Sequence, residues 1–136
     1  MATIFTRIIE GDLPGTFVWR DDRCVGFLSI NPLKPGHTLV VPRRHVDSLL
    51  DGEPAMAEIG PCVDATARLL VDRLDADGLN VVSSAGAAAG QEVFHLHVHL
   101  LPRYADAPGL ANLLGARAPS SEADLDAVHT ALTGRR

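Results

Sequence analysis

The most informative part of the sequence is Gly90-Gln91-Glu92-Val93-Phe94-His95-Leu96-His97-Val98-His99-Leu100-Leu101-Pro102-Arg103. Three of the six histidines of the chain stand in it, at every second position. Because side chains alternate between the two faces of a β-strand, His95, His97 and His99 are predicted to share one face. The apolar residues between them would then point to the other face and pack in the core. The pattern predicts a strand over 95–101 that carries a row of imidazoles.

A row of three imidazoles is typical of a functional site. The imidazole ring titrates near neutral pH and also binds metal ions, so it can act as nucleophile, acid, base or metal ligand. The residue pattern by itself therefore leaves two functional readings open, a metal centre and a histidine used in catalysis. A purely structural role for all three side chains is the weaker third reading.

Composition limits the classes of protein to which the chain can belong. Its 136 residues, 46% of them hydrophobic, suit one domain over 1–136, and its net charge of −5 argues against wrapping of nucleic acid. No apolar run reaches the roughly 20 residues that span a bilayer, and the first residues lack a signal-peptide pattern. We expect a cytoplasmic protein in which Cys24 and Cys62 are reduced, buried thiols.

Hydrophobic periodicity and turn residues divide the chain into short elements. Strands are predicted over 18–20, 24–30, 37–42, 79–83 and 95–101, and helices over 3–10, 54–75 and 121–132. Gly60-Pro61 predicts a kink in the long helix or a break into two. His129, in the last helix, is expected to face solvent. Hairpin-linked strands with the helices on one side predict an α+β fold with an antiparallel sheet.

Further motifs accompany the histidine row. They are Ile4-Phe5-x-x-Ile8-Ile9, Pro32-x-x-Pro35-Gly36-His37-x-Leu39-Val40-x-Pro42-x-x-His45 and Ala89-Gly90-Gln91. Together with His-Leu-His-Val-His-Leu-Leu they resemble the histidine triad superfamily of nucleotide hydrolases and transferases over almost the whole chain. The resemblance implies a five-stranded antiparallel sheet. It also implies a homodimer in which two such sheets join edge to edge.

The resemblance also implies a reaction. Family members cleave a bond at the α-phosphate of a nucleotide through a nucleotidyl-histidine intermediate, and by position His97 is the nucleophile. A neutral imidazole is required, with one nitrogen bare and the other donating a hydrogen bond, in the family to a backbone carbonyl. His99 would hydrogen-bond the phosphate or the leaving group. His95 would be the third member, and His37 is expected to contact it.

The resemblance also places a nucleotide-binding set. The base pocket matches Phe5, Ile8, Phe27, Ile30 and Leu39. The Gln91 side chain is expected to donate to phosphate, whereas Glu92 would turn its carboxylate away and offer only its N–H.

Two positions in this set depart from the family. Ser29 stands where relatives have Asp or Asn at the ribose, and Ser84 stands where they commonly have Asn. A serine hydroxyl is a weaker partner for ribose hydroxyls than a carboxylate. The expected substrate is a purine nucleotide adduct such as a nucleoside phosphoramidate. Dinucleoside polyphosphate cleavage, or nucleotide binding with little turnover, is the alternative.

One branch of the family holds a structural zinc with an N-terminal Cys-x-x-Cys, a histidine matching His45 and the first triad histidine. Here Thr3 and Thr6 stand at the two cysteine positions. Threonine is not a useful zinc ligand beside imidazoles. We therefore expect no structural zinc and no cofactor.

Overall fold

The computed structural model describes residues 2–113 and 121–134, and the predicted single domain over 1–136 extends beyond these ranges. The helices are α1 (Ile4–Ile9), α2 (Ala55–Leu74) and α3 (Glu122–Thr133), and the strands are β1 (Phe17–Arg20), β2 (Cys24–Leu28), β3 (Thr38–Pro42), β4 (Gly78–Val82) and β5 (Val98–Arg103). The strands form one antiparallel sheet in the order β1-β2-β3-β5-β4. The predicted five-stranded antiparallel sheet is confirmed.

The start of the last strand differs from its prediction. β5 begins at Val98 rather than His95, because its pairing with β3 stops at the pair Val40–Val98. The last residue of β3 is Pro42, which has no N–H for a ladder bond. The N–H of Leu96 instead donates to the carbonyl of Val46, at 2.8 Å. The backbone before β5 is thus held by a loop and not by the sheet.

The two faces of the sheet carry separate cores. One core joins Val40 and Val98 to Ile59 of α2 and Leu132 of α3, all buried. Each fully buried aliphatic side chain of this kind stabilises the fold by roughly 1.5–3 kcal/mol. The long helix α2 runs without a break through Pro61, so the predicted division into two helices is wrong.

The other face is covered by α1. Its Phe5 packs with Val25, Phe27, Leu39 and Val41 in a second cluster. In β2 and β3 these residues alternate with those that face α2, as strand geometry requires. The prediction that all helices lie on one side is therefore wrong, because the six-residue α1 packs opposite α2 and α3.

The C-terminal helix is joined to the first strand by a side chain that was expected to face solvent. His129 is half-buried, and its Nε2–H donates to the carbonyl of Phe17 at 2.7 Å. The N-terminus of α3 is capped by Ser121, whose hydroxyl accepts from the N–H of Asp124 at 3.0 Å. Among the described residues, no helix is long and apolar enough to cross a bilayer.

The two cysteines are not free thiols. Cys24, the first residue of β2, and Cys62 in α2 form a disulfide, with their Cα atoms 6.7 Å apart. The prediction of reduced thiols is therefore wrong. The pair is 38 residues apart in sequence, and only the packing of α2 on the sheet brings the two side chains together.

Reduction of this disulfide is predicted to lower the free energy of unfolding by about 2–4 kcal/mol, because the cross-link restricts the unfolded chain. Urea unfolding with and without reductant measures the change. The double variant Cys24→Ala/Cys62→Ala is the control and should not respond to reductant. Two titratable thiols in the native protein as isolated without reductant would contradict the assignment.

Candidate active site

The antiparallel register decides which histidines meet. Leu39 of β3 is opposite His99 of β5, so the start of β3 lies beside the later part of the histidine row. His37, just before β3, contacts His99, with 2.8 Å between Nε2 and Nδ1. His95 lies near the end of β3, where its Nε2–H donates to the Pro42 carbonyl at 2.8 Å. The expected contact of His37 with His95 is therefore wrong.

The tautomer of His97 follows from its backbone partner. Its Nδ1 lies 2.8 Å from the carbonyl oxygen of His95. A carbonyl can only accept, so Nδ1 carries the proton of the neutral ring and Nε2 keeps its lone pair. The side chain is 8% exposed and packs edge-to-face against Phe5, with 5.0 Å between ring centroids. This is the arrangement that a nucleophilic imidazole requires.

The tautomers of His37 and His99 follow in the same way. The backbone N–H of Leu33 donates to Nδ1 of His37 at 3.1 Å, so the neutral ring of His37 carries its proton on Nε2. That proton is donated to Nδ1 of His99. In its neutral form His99 therefore keeps its own proton on Nε2, as a hydrogen-bond donor. The rings of His97 and His99 are in contact, with centroids 4.9 Å apart.

His95 is fully buried and bonded at both ring nitrogens. Because Nε2–H donates to a carbonyl, Nδ1 is the acceptor, and the hydroxyl of Thr3 lies 3.0 Å from it. The hydroxyl of Thr6 lies 3.4 Å from the same nitrogen. The ring of His45 lies alongside, 5.0 Å between centroids.

These donors do not fit a zinc ion. Structural zinc sites use thiolates and imidazoles, and a neutral hydroxyl does not replace a thiolate. The Nε2–H of His45 is used by the carbonyl of Phe94, at 2.7 Å. Thr3 and Thr6 supply hydrogen bonds to His95 where a metal would need charged ligands.

Burial favours the neutral form of His95 and of His97. Loss of solvent lowers the pKa of His97 below its usual range, and the hydrogen bond to the His95 carbonyl offsets this only in part. Desolvation likewise lowers the pKa of His95, against the opposing effect of its bond to Pro42, and positive charge on His45 would lower it further. Both rings are therefore in the neutral form at physiological pH.

Four residues of the expected base pocket form a buried apolar cluster beside His95 and His97. Phe5, Phe27 and Leu39 are buried, Ile8 is half-buried, and Phe5 meets Phe27 edge-to-face with centroids 5.6 Å apart. The fifth expected pocket residue, Ile30, is instead 67% exposed and is not part of this cluster.

Ser29 and Ser84, the two departures from the family pattern, are both partly buried. The hydroxyl of Ser29 accepts from the N–H of Asn31 at 3.2 Å, which holds the turn after β2. Ser84 lies two residues after the last residue of β4 in the chain. Neither position contributes a charged group to the site.

Gln91 has a different role from the expected one. Its side chain is buried, its Nε2 donates to the carbonyls of Asp47 and Val93 at 2.6 and 3.0 Å, and its Oε1 accepts from the N–H of Gly86 at 2.8 Å. The amide is thus used to join three loop segments, and the predicted donation to phosphate is wrong for this conformation. Glu92 is exposed, as expected for a carboxylate that turns away.

Two residues that contribute to the site were not predicted from the sequence. Ser83 donates its hydroxyl to the carbonyl of His97 at 2.8 Å, and the N–H of Leu33 fixes the tautomer of His37. Ser83 could have been found from the pairing of β4 with β5, which puts Val82 opposite His99. The bond from Leu33 depends on a loop conformation that has no pattern in the sequence.

Known proteins are similar to this chain in sequence and in fold. A family profile described as HIT domain matches residues 10–106. The chain is 37% identical over 107 residues to Protein hit of Bacillus subtilis, covering 78% of this chain and 74% of that protein. It is 36% identical over 101 residues to the adenylylsulfatase HINT3 of Arabidopsis thaliana, covering 74% of this chain and 51% of that protein. The solved structure of a zinc-bound histidine triad family protein from Mycobacterium smegmatis matches with a TM-score of 0.74 at 33% identity, covering 97% of this chain and 94% of that one.

The lowered pKa values predict a pH dependence of stability. The unfolded chain binds protons on these imidazoles at about pH 6.5, whereas the folded protein binds them only at lower pH. The contribution of these two imidazoles to the free energy of unfolding should be fully present above about pH 6.5. It should be lost as the pH falls toward their lowered pKa values, by about 1.4 kcal/mol for each pH unit by which a pKa is lowered.

Urea unfolding of the wild type and of His97→Gln at several pH values tests this. The variant lacks one of the two groups, so its stability should fall less on acidification. Equal pH dependence in both proteins would show that His97 is protonated as readily in the folded state as in the unfolded one.

Proposed function

The chain belongs to the HIT domain family of nucleotide hydrolases and nucleotide-binding proteins, and on that premise we propose that it transfers or hydrolyses the nucleotidyl group of a purine nucleotide adduct with His97 as nucleophile. The observation that carries the proposal is the bond from Nδ1–H of His97 to the His95 carbonyl. It leaves Nε2 with a lone pair in a ring that is buried, neutral and in contact with Phe5.

In the proposed reaction the Nε2 lone pair of His97 attacks the α-phosphorus. A P–N bond forms as the bond from phosphorus to the leaving group breaks, and the leaving group departs with the bonding electron pair, an amine also taking up one proton from solvent. The ring becomes a nucleotidyl-imidazolium that still donates its Nδ1–H to the His95 carbonyl. Water then attacks phosphorus and releases one proton to solvent, the electron pair of the breaking P–N bond returns to Nε2, and the nucleotide leaves with neutral His97 restored. The Nε2–H of His99 hydrogen-bonds a phosphoryl oxygen and stabilises the charge that develops there.

The substrate class follows from the site and from a relative. A leaving amine, as in adenosine phosphoramidate, is the first candidate. The adenylylsulfatase of Arabidopsis thaliana supports sulfate as another leaving group at the same phosphorus. Cleavage of dinucleoside polyphosphates is the further alternative. Ser29 favours a second function, nucleotide binding with little turnover, because a hydroxyl holds ribose more weakly than the carboxylate of relatives.

The assembly and the location are also proposed. β4 is an edge strand, and Val81 and Val82 are 53% and 38% exposed, which supports a homodimer joined along this edge. We propose no nucleic-acid partner and no membrane partner. From the sequence we propose a cytoplasmic location. The Cys24–Cys62 disulfide argues against that location, because disulfides are rare in the cytoplasm.

His97→Ala is predicted to abolish release of AMP from adenosine phosphoramidate, with a loss of about 10³-fold or more, because no other group supplies the nucleophile. Initial rates with the wild type and the variant measure this. His129→Gln, which changes a histidine that bonds Phe17 away from the row, is the matched control and should keep its activity. Equal rates for His97→Ala and wild type would rule out this nucleophile. AMP binding by wild type without turnover of any adduct would favour the second function.

Ser29→Asp is predicted to tighten AMP binding about five- to tenfold, because a charged acceptor adds about 1 kcal/mol over a hydroxyl at the ribose. Calorimetric titration of both proteins with AMP gives the ratio of the dissociation constants. Ser84→Asn serves as the comparison at the other departure from the family pattern. Unchanged affinity for Ser29→Asp would remove the ribose role from this position.

A further inference from the structure

The N-terminal helix reaches the histidine row through hydroxyl groups. The Oγ1 atoms of Thr3 and Thr6 are 3.2 Å apart, and that of Thr3 lies 3.0 Å from Nδ1 of His95. Since Nδ1 has no hydrogen, Thr3 must be the donor in this bond. Thr6 can then donate to Thr3, so the hydrogen bonds run in one direction from α1 to the His95 ring.

His95 is the residue that orients the nucleophile. Its backbone carbonyl accepts the Nδ1–H of His97, and its ring is bonded to Thr3 on one side and to the Pro42 carbonyl on the other. The ring is fully buried, so an unpaired nitrogen there would be costly. The position of the carbonyl that selects the His97 tautomer is thus tied to the position of α1.

We infer that Thr3 is a positioning residue for catalysis: by donating to His95 it fixes the tautomer and place of that ring, and through the His95 carbonyl it orients the nucleophile His97. This inference rests on the proposed function of His97. Thr6 supports it as the second hydroxyl within reach of the same nitrogen, at 3.4 Å. Phe5, which stands between the two threonines in sequence, contacts the rings of both His95 and His97.

Thr3 also has an ordinary structural role that must be separated from this one. It is the N-cap of α1, and its hydroxyl oxygen accepts from the N–H of Thr6 at 3.1 Å. Capping needs only an oxygen that accepts, whereas the bond to His95 needs a hydrogen that donates. Aspartate caps helices as well as threonine does but has no hydrogen to donate when ionised. Serine supplies both.

The test therefore compares Thr3→Asp with Thr3→Ser. Thr3→Asp should keep the helix cap but lower kcat for the phosphoramidate about ten- to hundredfold, the range found when partners that orient metal-binding histidines are removed. KM should change little, because Thr3 is not part of the apolar cluster proposed to hold the base. Thr3→Ser should restore kcat to near the wild-type value, and thermal unfolding should show that both variants are folded.

Nitrogen NMR of the histidine rings gives a readout that does not depend on turnover. In wild type and Thr3→Ser, Nδ1 of His95 should be unprotonated; in Thr3→Asp the carboxylate should draw a proton onto it. If Thr3→Asp matches the wild type in both kcat and the His95 spectrum, Thr3 is a helix cap only and the inference is wrong. If the spectrum changes but kcat does not, the link from His95 to His97 fails. If the wild type turns over no adduct, the proposed function fails, and the spectrum alone decides whether Thr3 sets the tautomer of His95.

Discussion

The hydrogen bond from Nδ1 of His97 to the carbonyl of His95 is the interaction on which the proposed site depends. A neutral imidazole can place its single proton on either nitrogen, and only one choice leaves Nε2 able to attack. Water could satisfy either tautomer, but this ring is buried and takes its partner from the main chain. The same constraint holds for His95, which is bonded to Pro42, and for His37, which is bonded to Leu33. Main-chain groups thus determine which ring nitrogen carries the proton in His37, His95 and His97.

The antiparallel pairing of β3 with β5 decides which partner each part of the histidine row meets. Each end of β3 meets a different part of the histidine row, so His37 reaches His99 while Pro42 reaches His95. The opposite face, packed against α2, provides the rigid support for this arrangement. On the site face α1 does two things at once: Phe5 covers the rings, and Thr3 bonds the first of them. A short helix that would be unstable alone is therefore fixed by the residues it covers.

Much of this was predictable from local pattern. Alternation of histidine with apolar residues over 95–100 predicted that the rings share a face, and the structure has Leu96, Val98 and Leu100 in the core that faces α2. Contacts that depend on register or on loop shape were not predictable in the same way. The partner of His37, the inward turn of Gln91 and the Cys24–Cys62 disulfide all need knowledge of which distant segments meet.

The tautomer of His97 in the folded protein is the most direct test of this account. Long-range proton–nitrogen NMR on protein labelled in its histidine rings, at a pH where the ring is neutral, distinguishes the protonated nitrogen from the bare one. If His97 is the nucleophile, its Nδ1 should carry the hydrogen and its Nε2 should not. A spectrum with the proton on Nε2 would contradict it, because the attacking nitrogen would then have no lone pair to offer.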